Sequence, residues 1–274
     1  MSTSPSLDPE ELRQVASSFG VDAAAYDRAR PRYPDALIAA VADAARDGAA
    51  GPTPRVLDVG VGTGIVARQL RAAGCAVLGV DVDERMAEVA RGDGTDGIDV
   101  EVARFEEWDP AGRTFDAVTA GQTWHWVDPD AGATRAADVL RPGGALTVFW
   151  NAGDPPPDLA AAFAEVYRDV LPGSPLAATS TASAETAYRQ MMDTAADGMR
   201  RTGRFAEPHE RRDTWERTYT RDEWLALVPT TGVATRLPAA RLDALLAGLG
   251  AAIDAAGGSF VQQGFTLAVG AVRA

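Results

Sequence analysis

The stretch Val-Leu-Asp-Val-Gly-Val-Gly-Thr-Gly at residues 56–64 decides the fold. An apolar run leads into a glycine-rich turn, and a helical pattern follows the turn directly. A buried strand that runs into such a turn brings bare backbone against a nucleotide at the start of a helix. The dinucleotide-binding fingerprint has a glycine at the sixth position of the loop, where this chain has Ile65. The stretch therefore predicts a nucleoside-binding sheet and makes a dinucleotide the weaker alternative.

Two acidic residues accompany the glycine loop. Asp58 lies in the strand ahead of it, where a carboxylate would repel a pyrophosphate and suits a cationic amino-acid ligand better. Asp81 ends the second predicted strand, and an acid at that position can accept hydrogen bonds from both hydroxyls of a ribose. The loop and the two acids together indicate a ligand with a ribose and a positively charged amino-acid group.

Short apolar runs alternate with helical stretches from Arg55 onward, which is typical of a parallel sheet covered by helices on both faces. This pattern predicts a doubly wound α/β fold. The first five strands are predicted at Arg55–Val59, Ala76–Val82, Asp99–Phe105, Phe115–Gly121 and Ala145–Asn151. Beyond them we predict helices at Leu159–Leu171, Glu185–Arg200 and Leu237–Ala256, a loop at Gly173–Ala184, and strands at Thr214–Thr220 and Phe265–Val272. Thr220-Arg-Asp-Glu223 has the sequence of a helix capping box.

The chain is expected to fold around one core sheet. Residues 1–54 form an N-terminal helical segment that closes over the ligand, and residues 55–151 form the binding core. Residues 152–213 form a helical insertion that serves as a lid, and residues 214–274 complete the sheet. Pro/Gly-rich stretches at the first two of these boundaries favour this division.

The composition excludes several kinds of chemistry. The 274 residues include 39 acidic and 26 basic residues, for a net charge of -13, and every basic residue is an arginine. The absence of lysine excludes Schiff-base chemistry, phosphate-loop lysines and Tyr-Lys proton relays. The acidity argues against a nucleic-acid partner. The single cysteine and the two histidines predict no metal centre, and no apolar run is long enough to cross a membrane, so a cytoplasmic protein is expected.

Several of these motifs carry a resemblance to class I S-adenosylmethionine-dependent methyltransferases. Asp58–Gly64, Gly79–Asp81 and Leu140–Gly144 resemble the motifs of that family's cofactor site. The motifs within Phe19–Pro34, together with His125-Trp-Val-Asp128, are similar to the type 11 subgroup that includes trans-aconitate methyltransferase-like enzymes. The resemblance implies a Rossmann-like, seven-stranded sheet whose last strand is antiparallel. It also implies a helical lid between the fifth and sixth strands.

The resemblance implies how the cofactor would be held. The residues expected to bind S-adenosylmethionine are Tyr26, Arg30, Asp58, Gly60, Gly62, Gly64, Asp81, Phe105 and Gln122. The glycines and Asp58 would meet its amino-acid portion, and Asp81 would meet its ribose. Arg30, with Tyr26, would close over the cofactor and pair with its carboxylate. The family's adenine pocket has an acid where this chain has Arg104, so backbone groups of Phe105 are the expected adenine contacts.

The chemistry of transfer points to His125, which follows the fourth strand at the carboxyl edge of the sheet. Two roles stay open: a general base toward a hydroxyl or amine, or a group that orients a carboxylate acceptor. Trp124, Trp126 and Trp150 could line an apolar acceptor pocket and face the sulfonium, with core packing as the alternative.

These observations favour an enzyme that transfers a methyl group from S-adenosylmethionine to a small molecule and releases S-adenosylhomocysteine. The resemblance favours methylation of oxygen over nitrogen or carbon. The alternatives are a dehydrogenase on a dinucleotide fold, a methyltransferase for tRNA or another nucleic acid, and a protein that binds S-adenosylmethionine without catalysis.

Overall fold

Seven strands form the central sheet of the computed structural model, which describes residues 19–47, 49, 51–92, 97–172, 181–232 and 234–274. The strands are β1 (Arg55–Val59), β2 (Ala76–Asp81), β3 (Asp99–Val102), β4 (Phe115–Gly121), β5 (Leu140–Asp154), β6 (His209–Thr220) and β7 (Ser259–Val272). Their order is β3-β2-β1-β4-β5-β7-β6, and β7 runs antiparallel to both of its neighbours. The predicted mostly parallel sheet with an antiparallel last strand is confirmed.

Helices connect the strands on both faces of the sheet. They are α1 (Ala23–Ala29), α2 (Asp35–Arg46), α3 (Ile65–Ala72), α4 (Glu84–Arg91), α5 (Pro129–Val139), α6 (Pro157–Val170), α7 (Thr181–Thr202), α8 (Arg221–Leu227) and α9 (Ala239–Ala255). α6 and α7 lie between β5 and β6, which confirms the predicted insertion. Within the described ranges, no helix combines the length and the apolar character that a bilayer crossing requires.

The core is organised by burial of the sheet on both faces. β1 is buried from Val56 to Val59, as expected of a central parallel strand. Val56 packs in a cluster with Leu37 of α2, whereas Leu57 packs in a second cluster with Met199 of α7. Alternate residues of a strand point to opposite faces. α2 and α7 therefore cover the two sides of the sheet.

The C-terminal half adds a third apolar cluster. It joins Phe163 of α6, Leu227 of α8 and Leu249 of α9 to Tyr219 of β6 and Phe260 of β7. Within the insertion, α6 thus packs with the C-terminal helices, while α7 packs on the sheet.

Several element boundaries differ from the predicted ones. β3 ends at Val102, short of the predicted Phe105, because the Arg104 and Phe105 carbonyls accept turn hydrogen bonds from Glu107 and Trp108 at 3.1 and 3.3 Å. Of the predicted loop at residues 173–184, residues 173–180 lie outside the described residues. Residues 181–184 form the start of α7 instead of a loop. The predictions for residues 1–18 also lie outside the described residues.

The last three strands are longer than predicted. β6 pairs with β7 from His209 opposite Gly270 to Thr220 opposite Ser259, and β5 pairs with β7 as far as Asp154 opposite Gln263. These extensions escape an apolar pattern because the added part of β6 is mainly charged and the added part of β7 is rich in glycine and glutamine. Backbone pairing along a long antiparallel ribbon forms them instead.

The sheet brings the predicted site residues to one edge. β1, β2 and β4 are parallel neighbours that end at Val59, Asp81 and Gly121. The glycine loop follows β1, and the 3-10 turn Trp124–Trp126 follows β4. Ligands of doubly wound sheets bind at such carboxyl ends.

The capping box at the start of α8 gives a direct test of local stability. The Thr220 side chain accepts a hydrogen bond from the Glu223 N–H, and the Glu223 carboxylate accepts one from the Thr220 N–H at 2.8 Å. Thr220→Ala is expected to lower the free energy of unfolding by about 1 kcal/mol. Denaturant titration measures this, and Thr220→Ser should restore most of the loss. Equal stability of the alanine and serine variants would contradict the capping role.

Candidate active site

A cleft of about 1450 Å³ opens at the carboxyl edge of the sheet. Its walls come from the glycine loop, the ends of β2, β4 and β5, helix α1, and parts of α7, β6 and the segment after α8. Residues far apart in sequence therefore share one cavity, as is usual for a ligand site at this edge.

The three loop glycines have different tasks. Gly60, Gly62 and Gly64 all have positive φ, at 63°, 54° and 88°, a region that favours glycine. A Cβ at Gly60 would lie 2.1 Å from the Thr123 methyl, so Gly60 allows the loop to pass the β4 turn. A Cβ at Gly62 would meet nothing closer than the Met86 methyl at 3.5 Å, so the backbone there stays open to the cleft. Gly64 caps α3 and does not line the cleft.

Asp58 carries a buried carboxyl group with one free oxygen. The residue is 1 % exposed, and its Oδ1 accepts a hydrogen bond from the Thr119 hydroxyl at 3.0 Å. Its Oδ2 is buried without a partner. Burial, together with the nearby Asp81 charge, raises the pKa of Asp58 to about 7, although hydrogen bonding from Thr119 and from the backbone of Ala67 opposes the rise. A positive group placed against Oδ2 would therefore stabilise the ionised form of this buried carboxyl group.

Asp81 is held by backbone donors at the end of β2. Its Oδ2 accepts a hydrogen bond from the Gly62 N–H at 2.7 Å, and its Oδ1 accepts one from the Asp83 N–H at 2.9 Å. Burial raises the pKa of Asp81, although these amide donors oppose the rise. Each carboxylate oxygen can accept more than one hydrogen bond. Asp81 is therefore rigidly placed and still able to accept from a ligand diol.

Arg30 reaches the cleft from the end of α1. Its guanidinium lies 4.6 Å from the centre of the Tyr26 ring, and one Nη donates to the Thr230 carbonyl at 2.5 Å. Its Nε is buried without a partner, and no described carboxylate forms an ion pair with it. The cation–π contact and the carbonyl hold the side chain, and neither supplies a negative charge. Arg30 can therefore pair with an anionic group of a ligand.

His125 lies in the 3-10 turn Trp124–Trp126 and lines the cleft. Its Nδ1 accepts a hydrogen bond from the Trp150 indole N–H at 3.1 Å, and its ring lies 4.5 Å from the Trp126 ring. Burial lowers the pKa of His125 to about 4. The imidazole is therefore neutral at physiological pH.

The expectation of an acceptor pocket lined by three tryptophans needs correction. Trp124 and Trp150 are 2 % and 1 % exposed and pack in the core cluster on the α7 side of the sheet. Neither lines the cleft, because their side chains are buried in the cluster that also contains Met199 of α7. Trp126 does line the cleft. Core packing, the alternative reading, describes the other two.

The remaining expected cofactor residues gather around the same cavity. Gln122 follows β4 with a positive φ of 57°, which is rare for a residue with a side chain, and its amide donates to the Asn151 carbonyl at 2.7 Å. Phe105 lines the cleft with its side chain 3 % exposed. Arg104 also lines the cleft, 3.6 Å from the Glu106 carboxylate.

Several residues that line the cleft or support it from behind carry no signal in the sequence. The Thr119 hydroxyl donates a hydrogen bond to Asp58 on the neighbouring strand. The backbone carbonyl of Thr230, which is 200 residues away in sequence, accepts a hydrogen bond from Arg30. Tyr188 of α7 and Tyr219 of β6 also line the cleft. They belong to no motif, because their position depends on how the insertion and the C-terminal strands pack.

Comparison with known proteins agrees with this geometry. Residues 56–144 match the profile of a methyltransferase domain family. A methyltransferase of unassigned function from Mycobacterium tuberculosis is 37 % identical over 142 residues, 52 % of this chain and 55 % of that protein. A malonyl-[acyl-carrier protein] O-methyltransferase from Enterobacter lignolyticus is 31 % identical over 161 residues, 57 % of this chain and 61 % of that protein. The chain spans about half the length of the first curated relatives it matches.

Solved structures show the same fold. A candidate type II methyltransferase from Anaeromyxobacter dehalogenans superposes with a TM-score of 0.58 at 24 % identity, covering 89 % of this chain and 97 % of that one. The matched domain, these relatives and the strand order confirm the resemblance to class I methyltransferases.

The raised pKa of Asp58 makes a prediction about the ligand-free protein. The folded-state pKa of about 7 lies above the ordinary value of 3.8, so ionisation of Asp58 progressively removes stability as the pH rises between these values. Asp58→Asn is expected to raise the free energy of unfolding by about 4 kcal/mol at pH 8. The gain should vanish toward pH 4. Thermal unfolding across this pH range measures it.

Asp83 provides a matched control of opposite sign. Burial alone would raise its pKa, but hydrogen bonds from Arg85 outweigh burial and lower it. Because the folded-state pKa of Asp83 is lower than its ordinary value, the ionised carboxylate stabilises the folded protein at pH values above that ordinary pKa. Asp83→Asn should therefore reduce stability at pH 8. A destabilised Asp58→Asn variant at pH 8 would contradict the assignment of a costly buried charge to Asp58.

Proposed function

We propose that this protein is an S-adenosylmethionine-dependent methyltransferase that methylates an oxygen atom of a small molecule and releases S-adenosylhomocysteine. The observation that carries the proposal is the unpartnered, buried Oδ2 of Asp58 beside the open backbone of Gly62. A buried carboxylate oxygen without a partner needs a positive group. The ammonium of the cofactor's amino-acid portion is such a group.

The cleft residues fit the rest of the cofactor. Asp81 would accept hydrogen bonds from the ribose hydroxyls, and its fixed position between two amide donors supports this role. Arg30, which lacks a described carboxylate partner, would meet the cofactor carboxylate, with Tyr26 packed on its guanidinium. Gln122 and Phe105 line the cavity between these groups and would contact the nucleoside. Bound in this way, the cofactor supplies a methyl group activated by a positive sulfur.

The chain's own contribution to transfer is alignment in a space shielded from bulk water. An in-line displacement gains most from holding donor and acceptor close together in the correct direction. His125 and Trp126 line the cleft at the end of β4 and would face the acceptor. α7 contributes Tyr188 to the wall, which supports a role for the insertion in acceptor selection.

The preference for a small acceptor and for oxygen rests on two observations. The chain carries a net charge of -13, which opposes approach to a phosphate backbone. One of its relatives is named as an O-methyltransferase. A nucleic-acid substrate is the alternative that these observations disfavour.

Binding of S-adenosylhomocysteine tests the proposed cofactor. Asp81→Ala should weaken binding at least tenfold in calorimetry, because hydrogen bonds to a charged acceptor contribute about 1.5–3 kcal/mol each. Glu84→Gln is the control, since it removes an acidic residue near the same sheet edge whose exposed side chain pairs with Arg91. It should retain wild-type affinity.

The same titration with NADH distinguishes an S-adenosylmethionine site from a dinucleotide site. The proposal expects no saturable binding of NADH, since Asp58 faces the position where a pyrophosphate would lie. Micromolar binding of NADH, or unchanged S-adenosylhomocysteine affinity in Asp81→Ala, would overturn the cofactor assignment.

A further inference from the structure

The hydrogen bond between Trp150 and His125 determines where the imidazole carries its proton. An indole N–H is only a donor, so Nδ1 of His125, at 3.1 Å, must be the unprotonated acceptor. A neutral imidazole has one N–H and one acceptor nitrogen. The proton of His125 is therefore on Nε2.

Both partners of this hydrogen bond are fixed in place. Trp150 is 1 % exposed in the middle of β5, where it pairs with Leu267 of β7. His125 lies in a short turn closed by backbone bonds from Trp126 to Thr123 at 2.8 Å and from Val127 to Trp124 at 3.1 Å. Rotation of the imidazole would leave the indole N–H unsatisfied in the core, which is unfavourable.

The Nε2–H group is the one available to a ligand. It makes no hydrogen bond to a described residue, and it is not among the buried polar atoms that lack a partner. His125 lines the cleft, so its donor can be reached from the cavity. The imidazole thus offers the cleft an N–H.

This arrangement is the opposite of a general base. A catalytic base needs a free nitrogen toward the substrate and usually an acceptor behind it that stabilises the imidazolium. Here Nε2 already bears a proton, and a proton on Nδ1 would face the indole N–H. The low pKa of His125, which arises from burial, agrees with this geometry.

We infer that Trp150 is a positioning residue that fixes His125 as a hydrogen-bond donor, so that the site takes an acceptor oxygen that is already ionised, such as a carboxylate. This inference rests on the proposed methyltransferase function and assigns its substrate class. The Nε2–H of His125 would bond to the acceptor carboxylate and direct its reacting oxygen.

A carboxylate acceptor balances the reaction without a base. The carboxylate oxygen forms a bond to the methyl carbon while the carbon–sulfur bond breaks and its electron pair stays on sulfur. The negative acceptor and the positive donor become a neutral ester and a neutral thioether, so no proton is released. A hydroxyl or amine acceptor would instead have to lose a proton to a base.

Carboxylates elsewhere on the cleft wall are the competing bases. They are Glu106, Glu107, Asp128 and Asp154. Burial raises the pKa of Asp154, which lies at the end of β5. A hydroxyl-bearing acceptor would depend on one of these groups, so the substrate class can be tested against them.

Nitrogen NMR of the two histidines tests the tautomer without any need for turnover. The chain has only His125 and His209, so His209→Gln assigns both ring signals. The inference expects the Nε2–H tautomer at His125, unchanged between pH 5.5 and 8. An Nδ1–H tautomer in the wild type, or titration of His125 with a pKa near its ordinary value of 6.5, would overturn it.

A pair of tryptophan variants identifies the positioning group. Trp150→Phe removes the indole N–H and should give a mixture of tautomers at His125. Trp126→Phe changes the other ring beside His125, which makes no hydrogen bond to Nδ1, and should leave the tautomer unchanged. If Trp150→Phe also keeps a pure Nε2–H tautomer, Trp150 is not the positioning residue.

Matched small probes test the substrate class. Butyrate, 1-butanol and butylamine are titrated in turn into protein saturated with S-adenosylhomocysteine, and the His125 Nε2 signal is followed with His209 as the internal reference. Butyrate alone should shift the His125 signal. A response to butanol or butylamine that matches the response to butyrate would contradict the carboxylate assignment.

These outcomes separate the inference from the proposed function. If calorimetry detects no binding of S-adenosylhomocysteine, the methyltransferase proposal fails, while the NMR result for ligand-free protein still decides the tautomer. If S-adenosylhomocysteine binds normally but butyrate leaves the His125 Nε2 signal unmoved, the inference fails and the proposed function stands.

Discussion

The buried carboxyl group of Asp58 is the constraint on which the site depends. One of its oxygens accepts a hydrogen bond from Thr119, and the other is buried without a hydrogen-bond partner among the described residues. The glycine loop follows directly, so the open backbone at Gly62 and the uncompensated oxygen face the same cavity. A buried, incompletely satisfied carboxyl group with a raised pKa in a cleft is the kind of group found at ligand sites.

The two ends of the proposed reaction are prepared differently. Asp58 and Asp81 are buried carboxyl groups whose pKa values are raised by burial. In the proposed function they would meet the positive group and the hydroxyl groups of the cofactor. Around His125, burial without a charged neighbour keeps the imidazole neutral, and Trp150 decides which nitrogen is the donor. The protein thus supplies fixed hydrogen-bonding groups, and neither end needs a strong base.

Local sequence was enough to predict the strands that end at the cleft and several residues that line it. β1 and β4 have their predicted bounds, because buried parallel strands between turn signals are distinctive. The loop glycines and Asp81 follow from their place at the strand ends. Residue Gly64 is the exception, since it shapes the start of α3 and faces away from the cavity.

The acceptor half could not be predicted from sequence because it depends on contacts across the fold. The hydrogen bond from Trp150 to His125 joins two strand ends, and Tyr188 reaches the cleft only because α7 packs on the sheet. The same tryptophans that suggested an acceptor pocket belong mostly to the core, since composition alone does not tell which way a strand residue points. The long β6–β7 ribbon was also underestimated, because charged residues conceal its pairing.

The pH dependence of S-adenosylhomocysteine binding tests the central role of Asp58 most directly. The ligand's ammonium favours the ionised carboxylate, so wild-type affinity should rise as the pH increases through the Asp58 pKa of about 7 and then level off near pH 8. Asp58→Asn should bind more weakly at pH 8 and lose this dependence. Affinity that is constant or falls between pH 6 and 8 in the wild type would contradict the account.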